Sequence, residues 1–344
     1  MAGFYSGKKV FITGHTGFKG TWLTAMLLES GAEITGFSCD EKELFKLAGF
    51  EKEIRHVRGD VRDRQALLKA VKETEPELIF HLAAQPIVRT GLREPVCTYE
   101  VNVLGTVNLL DAVRQVQSVR SVLNVTTDKV YKNTEKEEGY TEKDTLGGSD
   151  PYSNSKSCSE LVTDCYRKSY LNSHGVAVST ARAGNVIGGG DFSKDRIIPD
   201  CVRAAIKKEI VTLRNPGSIR PYQHVLDPLA AYLMIAERQY GDPCASSAYN
   251  IGPAEKDCIS TRQLVTIFSE EWGEGFTWQE RQEKASAEAG ILKLDCSKAE
   301  KELGWSPVWD VRQAVRKTVE WYKRWNGGEN PADIIKRQVT EFRR

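Results

Sequence analysis

A chain of 344 residues, 40% hydrophobic and 28% charged, has the make-up of an ordinary globular protein and enough length for a sizeable core. Its 48 basic and 47 acidic side chains leave a formal charge of +1, so no global field favours DNA, RNA or an anionic membrane. No apolar run approaches the roughly 20 residues that cross a bilayer, and the opening "MAGFYSGKKVFITG" lacks the charged leader and long apolar core of a signal peptide.

A cytoplasmic location is therefore expected, with neither nucleic acid nor membrane as a partner. Eight cysteines are scattered without a C-x-x-C pair or clustered Cys/His spacing. That pattern predicts reduced thiols and no metal site.

In chain order, short β-rich runs alternate with longer segments of helical period. "KVFIT" (9–13), "EITGF" (33–37), "LIFHL" (78–82), "SVLNV" (121–125) and "VAVST" (176–180) read as strands. Between the first two, "TWLTAMLLESG" sets Trp22, Leu23, Met26 and Leu27 on one helical face and ends at Gly31. Parallel strands need long crossovers, so the alternation predicts an α/β fold of Rossmann type: a doubly wound parallel sheet with helices on both faces. After residue 181 the texture changes to Gly/Pro-rich loops, "AGNVIGGGDF" and "RNPGSIRPYQ", among helical stretches. The expected organisation is a first domain over 1–180, to which later segments return, and a smaller C-terminal lobe over 181–344.

Between the first strand and the first helix lies "TGHTGFKG", with glycines at 14, 17 and 20. Gly14, Gly17 and Gly20, with Thr16 and Phe18 among them, suit a tight turn that lets backbone approach a pyrophosphate, whose charge the helix N-terminus then meets. Glycines also serve packing alone, but this strand–turn–helix context favours a dinucleotide. Asp40 follows at the distance where a carboxylate accepts both adenosine ribose hydroxyls and repels a 2′-phosphate, which favours NAD over NADP. Equally, Asp40 is a natural N-cap for "DEKELFKL". Asp60 and Val61 in "RGDVRD" suit the adenine edge. Ala83, Ala84 and Gln85 in "HLAAQ" are small or polar choices beside a cofactor; loop and packing roles fit both segments as well.

Two further stretches carry proton-handling groups. "VTTDKVY" places Thr127, Asp128 and Lys129 just where an apolar strand runs out. "DPYSNSKSCSELV" sets Tyr152 and Lys156 four apart at the start of a helix, on one face. A phenol has an ordinary pKa near 10, and a neighbouring ammonium lowers it. Tyr152 is thereby a candidate base for removing a hydroxyl proton during hydride transfer.

These motifs together resemble the extended short-chain dehydrogenase/reductases that act on nucleotide sugars, over nearly the whole chain. The resemblance assigns the glycine turn and the Tyr152/Lys156 pair to NAD and catalysis, Thr127 to the fourth-strand hydroxyl, and Asn102 in "VNVLGT" to a structural and proton-relay asparagine. It also implies that the C-terminal lobe binds the nucleoside diphosphate through Asn185, Arg196, Arg214 and Arg220. Arginine forks suit a diphosphate, although a surface ion pair is the plain alternative for either of the last two. His224 in "RPYQHV" lines the substrate pocket or packs; His15 serves the turn or the cofactor; His81, after an apolar strand, reads as a core histidine.

Within the family, epimerases share Thr127 and Tyr152 without the adjacent acid pair, and dTDP-glucose-type 4,6-dehydratases carry Thr-Asp-Glu. Thr-Asp-Lys, with "GHTGFKG", "AAQPIVR", "DPYSNSK" and "RAGNVIGGGD", most resembles the CDP-glucose 4,6-dehydratases. The resemblance implies CDP-glucose or a related nucleotide sugar as substrate, oxidised at C4, dehydrated across C5 and C6, and reduced at C6 without net redox. Asp128 would protonate the leaving hydroxyl. Lys129 would assist elimination, pair with Asp128 or bias cofactor affinity. A dehydratase for another nucleotide hexose, a 4-epimerase, and a non-catalytic dinucleotide sensor are the competing readings. By the family's habit, segments 99–116 and 152–170 would pair in a homodimer or a dimer of dimers.

Overall fold

In the computed structural model, which describes residues 3–213, 215–281 and 290–343, β1 (Lys9–Thr13) is an interior strand of a seven-stranded sheet. It is followed by α1 (Phe18–Leu28), β2 (Glu33–Ser38), β3 (Arg55–Arg58), β4 (Leu78–His81), β5 (Ser121–Val125) and β6 (Ala177–Ala183). The last strand, Ala248–Ile251, returns to the edge. The spatial order is Ala248–Ile251, β6, β5, β4, β1, β2, β3, and every neighbouring pair is parallel. This is the Rossmann-type doubly wound sheet that the alternating pattern predicts.

The central strands are buried on both faces because helices cover both. Helices Arg64–Thr74 and Gly105–Val113 put Leu67, Val71, Leu109 and Val113 against Phe11, Ile79 and Val122 on one side. On the other, α1 is buried from Gly20 to Leu27, between the sheet and helix Pro331–Phe342. A helix enclosed all round must be apolar all round. Truncating Leu23 or Leu27 to alanine removes about 2–5 kcal/mol of stability on that account.

After β6 the chain makes short pairings: Val186–Ile187 with Gln223–His224, Ile219–Pro221 with Cys258–Ser260, and Ile210–Leu213 with Thr277–Glu280. Helices Ile197–Lys207, Leu226–Gly241 and Val311–Asn326 pack with them. A single hydrophobic cluster runs from Val10 and Trp22 through Ile198 and Leu229 to Val315. The strand order reverses between β1 and β4, so the crevice at the carboxyl ends of these two strands is where a ligand of such a sheet sits.

Candidate active site

The glycine turn lines that crevice, and its three glycines answer different demands. Gly14 has φ +74°, and a Cβ there would lie 2.7 Å from the Ala83 amide; a Cβ on Gly20 would lie 2.3 Å from the Gly14 carbonyl. Both are required by the protein's own backbone. Gly17 sits at the N-cap of α1 with no side-chain cap, and a Cβ there would meet only the Gly14 carbonyl, at 3.3 Å. It leaves the helix N-terminus uncovered, with first-turn N–H groups free of intrahelical acceptors. That cradle fits a dinucleotide pyrophosphate.

The surrounding residues fit the rest of such a cofactor. Thr16 Oγ1 donates to the Asp40 carbonyl at 2.7 Å, which ties the turn to the end of β2. Asp40 is exposed and ion-paired with Lys42. The capping alternative for Asp40 is not what the fold uses: the next helix begins at Glu43, with Lys42 at its N-cap. The Phe18 ring reaches Gly188 across the crevice. Asp60 is gripped by the Arg62 guanidinium at 2.7 Å and by its amide at 2.9 Å, which holds its carboxyl below the ordinary value. Val61 is buried against Gly105, and an open cleft of about 580 Å³ lies among Asp60, Arg62, Glu100, Leu104 and Asn108.

Asn102 clasps the strand-end loop to the helix behind it. Its Oδ1 accepts from the Gln85 amide at 2.8 Å, and its Nδ2 donates to the Gln85 carbonyl at 3.1 Å and to Ser155 Oγ at 2.9 Å. It stands in a π-helical turn, Glu100–Leu104, a distortion that often marks functional sites. Gln85 spends its side chain on Thr98 and the Ile87 amide, and Ala84 is half-buried beside it. His81 is the satisfied core histidine expected, bonded to Thr13 and Thr106.

β5 delivers Thr127, Asp128 and Lys129 to the carboxyl edge of the sheet, where the chain bends into a single 3-10 turn at Asp128–Val130. Thr127 Oγ1 donates to Asp128 Oδ1 at 2.9 Å, and Lys129 Nζ donates to the same oxygen at 3.1 Å and to Asn185 Oδ1 at 3.2 Å. Asp128 is fully buried, and its Oδ2 takes no hydrogen bond from the described residues.

Facing it is helix Pro151–Tyr166, started by Asp150, whose side chain accepts from the Tyr152 and Ser153 amides, and by a proline at its first position. Tyr152 and Lys156 are both buried on its inner face. Burial pushes the Tyr152 phenol up to about 12, against the pull of the Thr127 hydroxyl and Arg196. This corrects the expectation that the neighbouring ammonium lowers it. The Lys156 Nζ donates instead to the Val125 carbonyl at 3.0 Å, and desolvation outweighs what the phenol gains. Lys156 is itself pulled down to about 8 by burial, opposed by Glu160.

Sequence reasoning passed over Lys19. It projects from the first turn of α1 to the Tyr232 hydroxyl at 3.4 Å, and burial, then Arg196 and Lys156, bring it to about 7. Its signal was a lone cation among apolar helix residues.

The residues expected to hold the substrate separate. Asn185 joins the Asp128 cluster through Lys129, and Arg196 lies within electrostatic reach of Tyr152 while paired with buried Asp191 at 2.9 Å. Arg220 is buried, with Nη1 on the Ile219 carbonyl at 2.8 Å and the Gly290 carbonyl at 3.2 Å. Arg214 lies outside the described residues. His224 does not line a pocket: it is fully buried between Trp22 and Trp309, and desolvation takes its pKa down to about 3. His15 is enclosed too, 2.7 Å from His56, against Gly36, which has no side chain to displace it. No cluster of three or more metal-ligating side chains occurs among the described residues.

Comparison with known proteins agrees with this geometry. The family pattern described as GDP-mannose 4,6 dehydratase matches residues 11–318. The CDP-glucose 4,6-dehydratase of Salmonella typhimurium is 43% identical over 348 aligned positions, covering 98% of this chain and 97% of that protein. The UDP-glucose 4-epimerase of Thermus thermophilus, solved in complex with NAD, is 26% identical with a TM-score of 0.80, over 92% of this chain and 99% of the other. The dTDP-glucose 4,6-dehydratase of Bacillus anthracis, also solved with NAD, has a TM-score of 0.79 at 22% identity, over 94% and 99% of the two chains, a likeness of fold alone. A match of this length to the family pattern, on a sheet and a strand-end cluster of this arrangement, means that the chain belongs to the GDP-mannose 4,6-dehydratase family.

Proposed function

We propose that this chain is an NAD-dependent CDP-glucose 4,6-dehydratase, which converts CDP-D-glucose to CDP-4-keto-6-deoxy-D-glucose and water. The observation that carries the reading is the 43% identity to the Salmonella enzyme over nearly the full length of both chains. NAD is supported by the uncovered N-terminus of α1 at Gly17 and by the NAD complex of the Thermus relative. The bound cofactor supplies a hydride acceptor at C4 and, once reduced, a hydride donor at C6.

The chain's own residues do the rest. Tyr152 takes the C4 hydroxyl proton as its phenolate, the form that Thr127, Arg196 and the protonated Lys156 favour against burial, and Thr127 orients that hydroxyl and the phenol. The 4-keto group acidifies C5–H, so water can leave across C5 and C6. Asp128 offers its unengaged Oδ2 to the departing C6 hydroxyl, since a carboxylic acid is a better proton donor there than an ammonium. Lys129 holds the other oxygen of Asp128 and Asn185 in place. We read 1–180, with the returning edge strand, as the NAD domain and 181–344 as mainly the nucleotide-sugar lobe, in which Arg196, Arg214 and Arg220 meet the diphosphate. The active species is a cytoplasmic homodimer or dimer of dimers. Among the described residues no helix is long and apolar enough to cross a membrane.

Mass spectrometry of separate reactions with NAD⁺ and CDP-, dTDP-, GDP- or UDP-glucose tests the reading. Loss of one water from CDP-glucose alone, without accumulation of reduced cofactor, is the expected result. Water loss from a different nucleotide overturns the base preference. Isomerisation without water loss overturns the dehydratase reading in favour of an epimerase.

A further inference from the structure

One turn beyond Lys156 on the same helix face stands Glu160, a buried carboxylate with no place in the proton steps above. Its Oε1 accepts from Thr126 Oγ1 at 2.5 Å, at the end of β5; its Oε2 accepts from Thr180 Oγ1 at 2.7 Å and from Arg182 Nη2 at 2.9 Å, both on β6. Arg182 passes on through Nη1 to the Tyr131 hydroxyl at 2.9 Å, and that hydroxyl donates to Asn250 Oδ1 at 2.6 Å on the edge strand. The network therefore touches both sides of the Thr127–Lys129 turn and the helix that carries Tyr152.

A buried ion pair is a poor source of stability, because desolvation offsets the attraction, so stability alone does not account for the Glu160–Arg182 pair. The local charge balance supplies one. Lys156 is buried with its ammonium on a neutral carbonyl, and Lys19 bears on it as a further cation. Glu160, one helical turn from Lys156, is the charge that opposes the effect of burial on it, while Arg182 is engaged by Glu160 and Tyr131.

We propose that Glu160 is a positioning residue whose negative charge keeps Lys156 protonated, while its hydrogen bonds to Thr126, Thr180 and Arg182 fix the lysine's helix against the strand ends that carry Thr127 and Asp128. Arg182 and the two threonines fill the hydrogen-bonding positions of the buried carboxylate. The role assigned to Lys156 rests on the dehydratase reading, but the charge effect does not.

The test separates the two. Lysine labelled with ¹³C at the ε-carbon is titrated by NMR in the wild type and in Glu160→Gln, Thr180→Val and Glu160→Gln/Arg182→Met, the Lys156 signal being assigned by its loss in Lys156→Met. Glu160→Gln is expected to titrate about one pH unit lower at Lys156. Thr180→Val, which removes a hydrogen bond and no charge, stays with the wild type. The double variant falls between, since it also removes a cation. The alkaline limb of turnover moves down in parallel in Glu160→Gln. A Lys156 titration unchanged in Glu160→Gln, or shifted equally in Thr180→Val, overturns the proposal in favour of a hydrogen-bonded strut. Should Glu160→Gln not fold, Arg182→Met carries the test: Lys156 must titrate at or above its wild-type position, and a fall overturns the proposal. A shifted titration in a protein without dehydratase turnover would sink the dehydratase reading alone.

Discussion

Lys129 Nζ and Asp128 Oδ1 are 3.1 Å apart, on consecutive residues at the end of β5. With Thr127 on the same oxygen, Oδ2 is left as the oxygen of the buried carboxylate that takes no hydrogen bond from the described residues. Asp128→Asn keeps the shape and removes the proton donor. Water loss should fall by about 10²–10⁴-fold, the usual span for a general acid, while oxidation at C4 continues and reduced nicotinamide accumulates. Following product mass and nicotinamide absorbance in one reaction checks this; an unchanged rate of water loss removes Asp128 from the role.

The same contact decides between two functions for Lys129. An amine that abstracts the C5 proton must be neutral and open, whereas this one donates to two side-chain oxygens, Asp128 Oδ1 and Asn185 Oδ1. We therefore expect Lys129→Arg, a cation that cannot deprotonate in a protein, to keep at least about a tenth of the activity, and Lys129→Met to fall well below it. Equal loss in both variants would return the base role to Lys129. Solvent-deuterium exchange at C5 reports on that step directly.

How far the sequence carried depended on whether a residue's surroundings were local. Strands 9–13 and 121–125 are legible to the residue, because continuous apolar runs between turn signals have few other uses. β3, with the sequence RHVR, was not: it is a half-buried edge strand, identified by pairing with β2 rather than by its composition. The strand Ala248–Ile251 was missed because it joins the sheet far from its neighbours in sequence. Within the site, the Thr127–Lys129 turn and the Tyr152/Lys156 face follow from spacing. The direction of the Lys156 ammonium toward Val125, the enclosure of His224 by two tryptophans and the reach of Lys19 to Tyr232 all depend on which distant side chain is opposite.

The three glycines of the turn should behave differently when given a methyl group. A Cβ at Gly14 or Gly20 lies under 3.0 Å from backbone, and Gly14 has a left-handed φ besides. Gly14→Ala and Gly20→Ala are expected to lose several kcal/mol of stability, roughly the scale of overpacking plus backbone strain. Gly17→Ala should melt near the wild type and bind NAD at least about tenfold more weakly, because its methyl group enters the phosphate cradle. Thermal melts beside NAD titrations by calorimetry separate the two classes. Normal NAD binding by Gly17→Ala would place the pyrophosphate elsewhere.

Large exposed apolar side chains stand on elements that pack on one another: Leu92, Val96 and Leu104 on the segments before helix Gly105–Val113, and Leu161 and Tyr170 on and after helix Pro151–Tyr166. Val96 is 71% exposed and Leu161 60%. Exposed apolar side chains on adjoining elements are expected to be covered by a second copy. Leu104→Arg/Leu161→Arg should shift the protein to a monomer by light scattering after gel filtration. A wild type that is monomeric at micromolar concentration contradicts the dimer outright.

Stability should fall with acid sooner than carboxylate titration alone would bring about. His15, His81 and His224 are buried, and desolvation takes each from 6.5 down to about 3. Their folded pKa values are depressed, so the stability tied to the neutral rings is fully present above 6.5. It is lost as pH falls toward 3, because the unfolded chain then binds protons that the folded one refuses. Asp227 works the other way: burial raises it to about 7, so between its ordinary 3.8 and that value the folded chain holds the extra proton, and Glu142 leans in the same direction. Unfolding at pH 5 should thus take up about one to two protons, at about 1.4 kcal/mol per pH unit for each. Denaturant titrations at pH 5, 6 and 7 give the slope, and His224→Phe, which keeps an aromatic ring between Trp22 and Trp309, should reduce the uptake by about one proton. A slope that His224→Phe leaves unaltered means that the His224 ring is charged in the folded protein, against its enclosure by the two indoles.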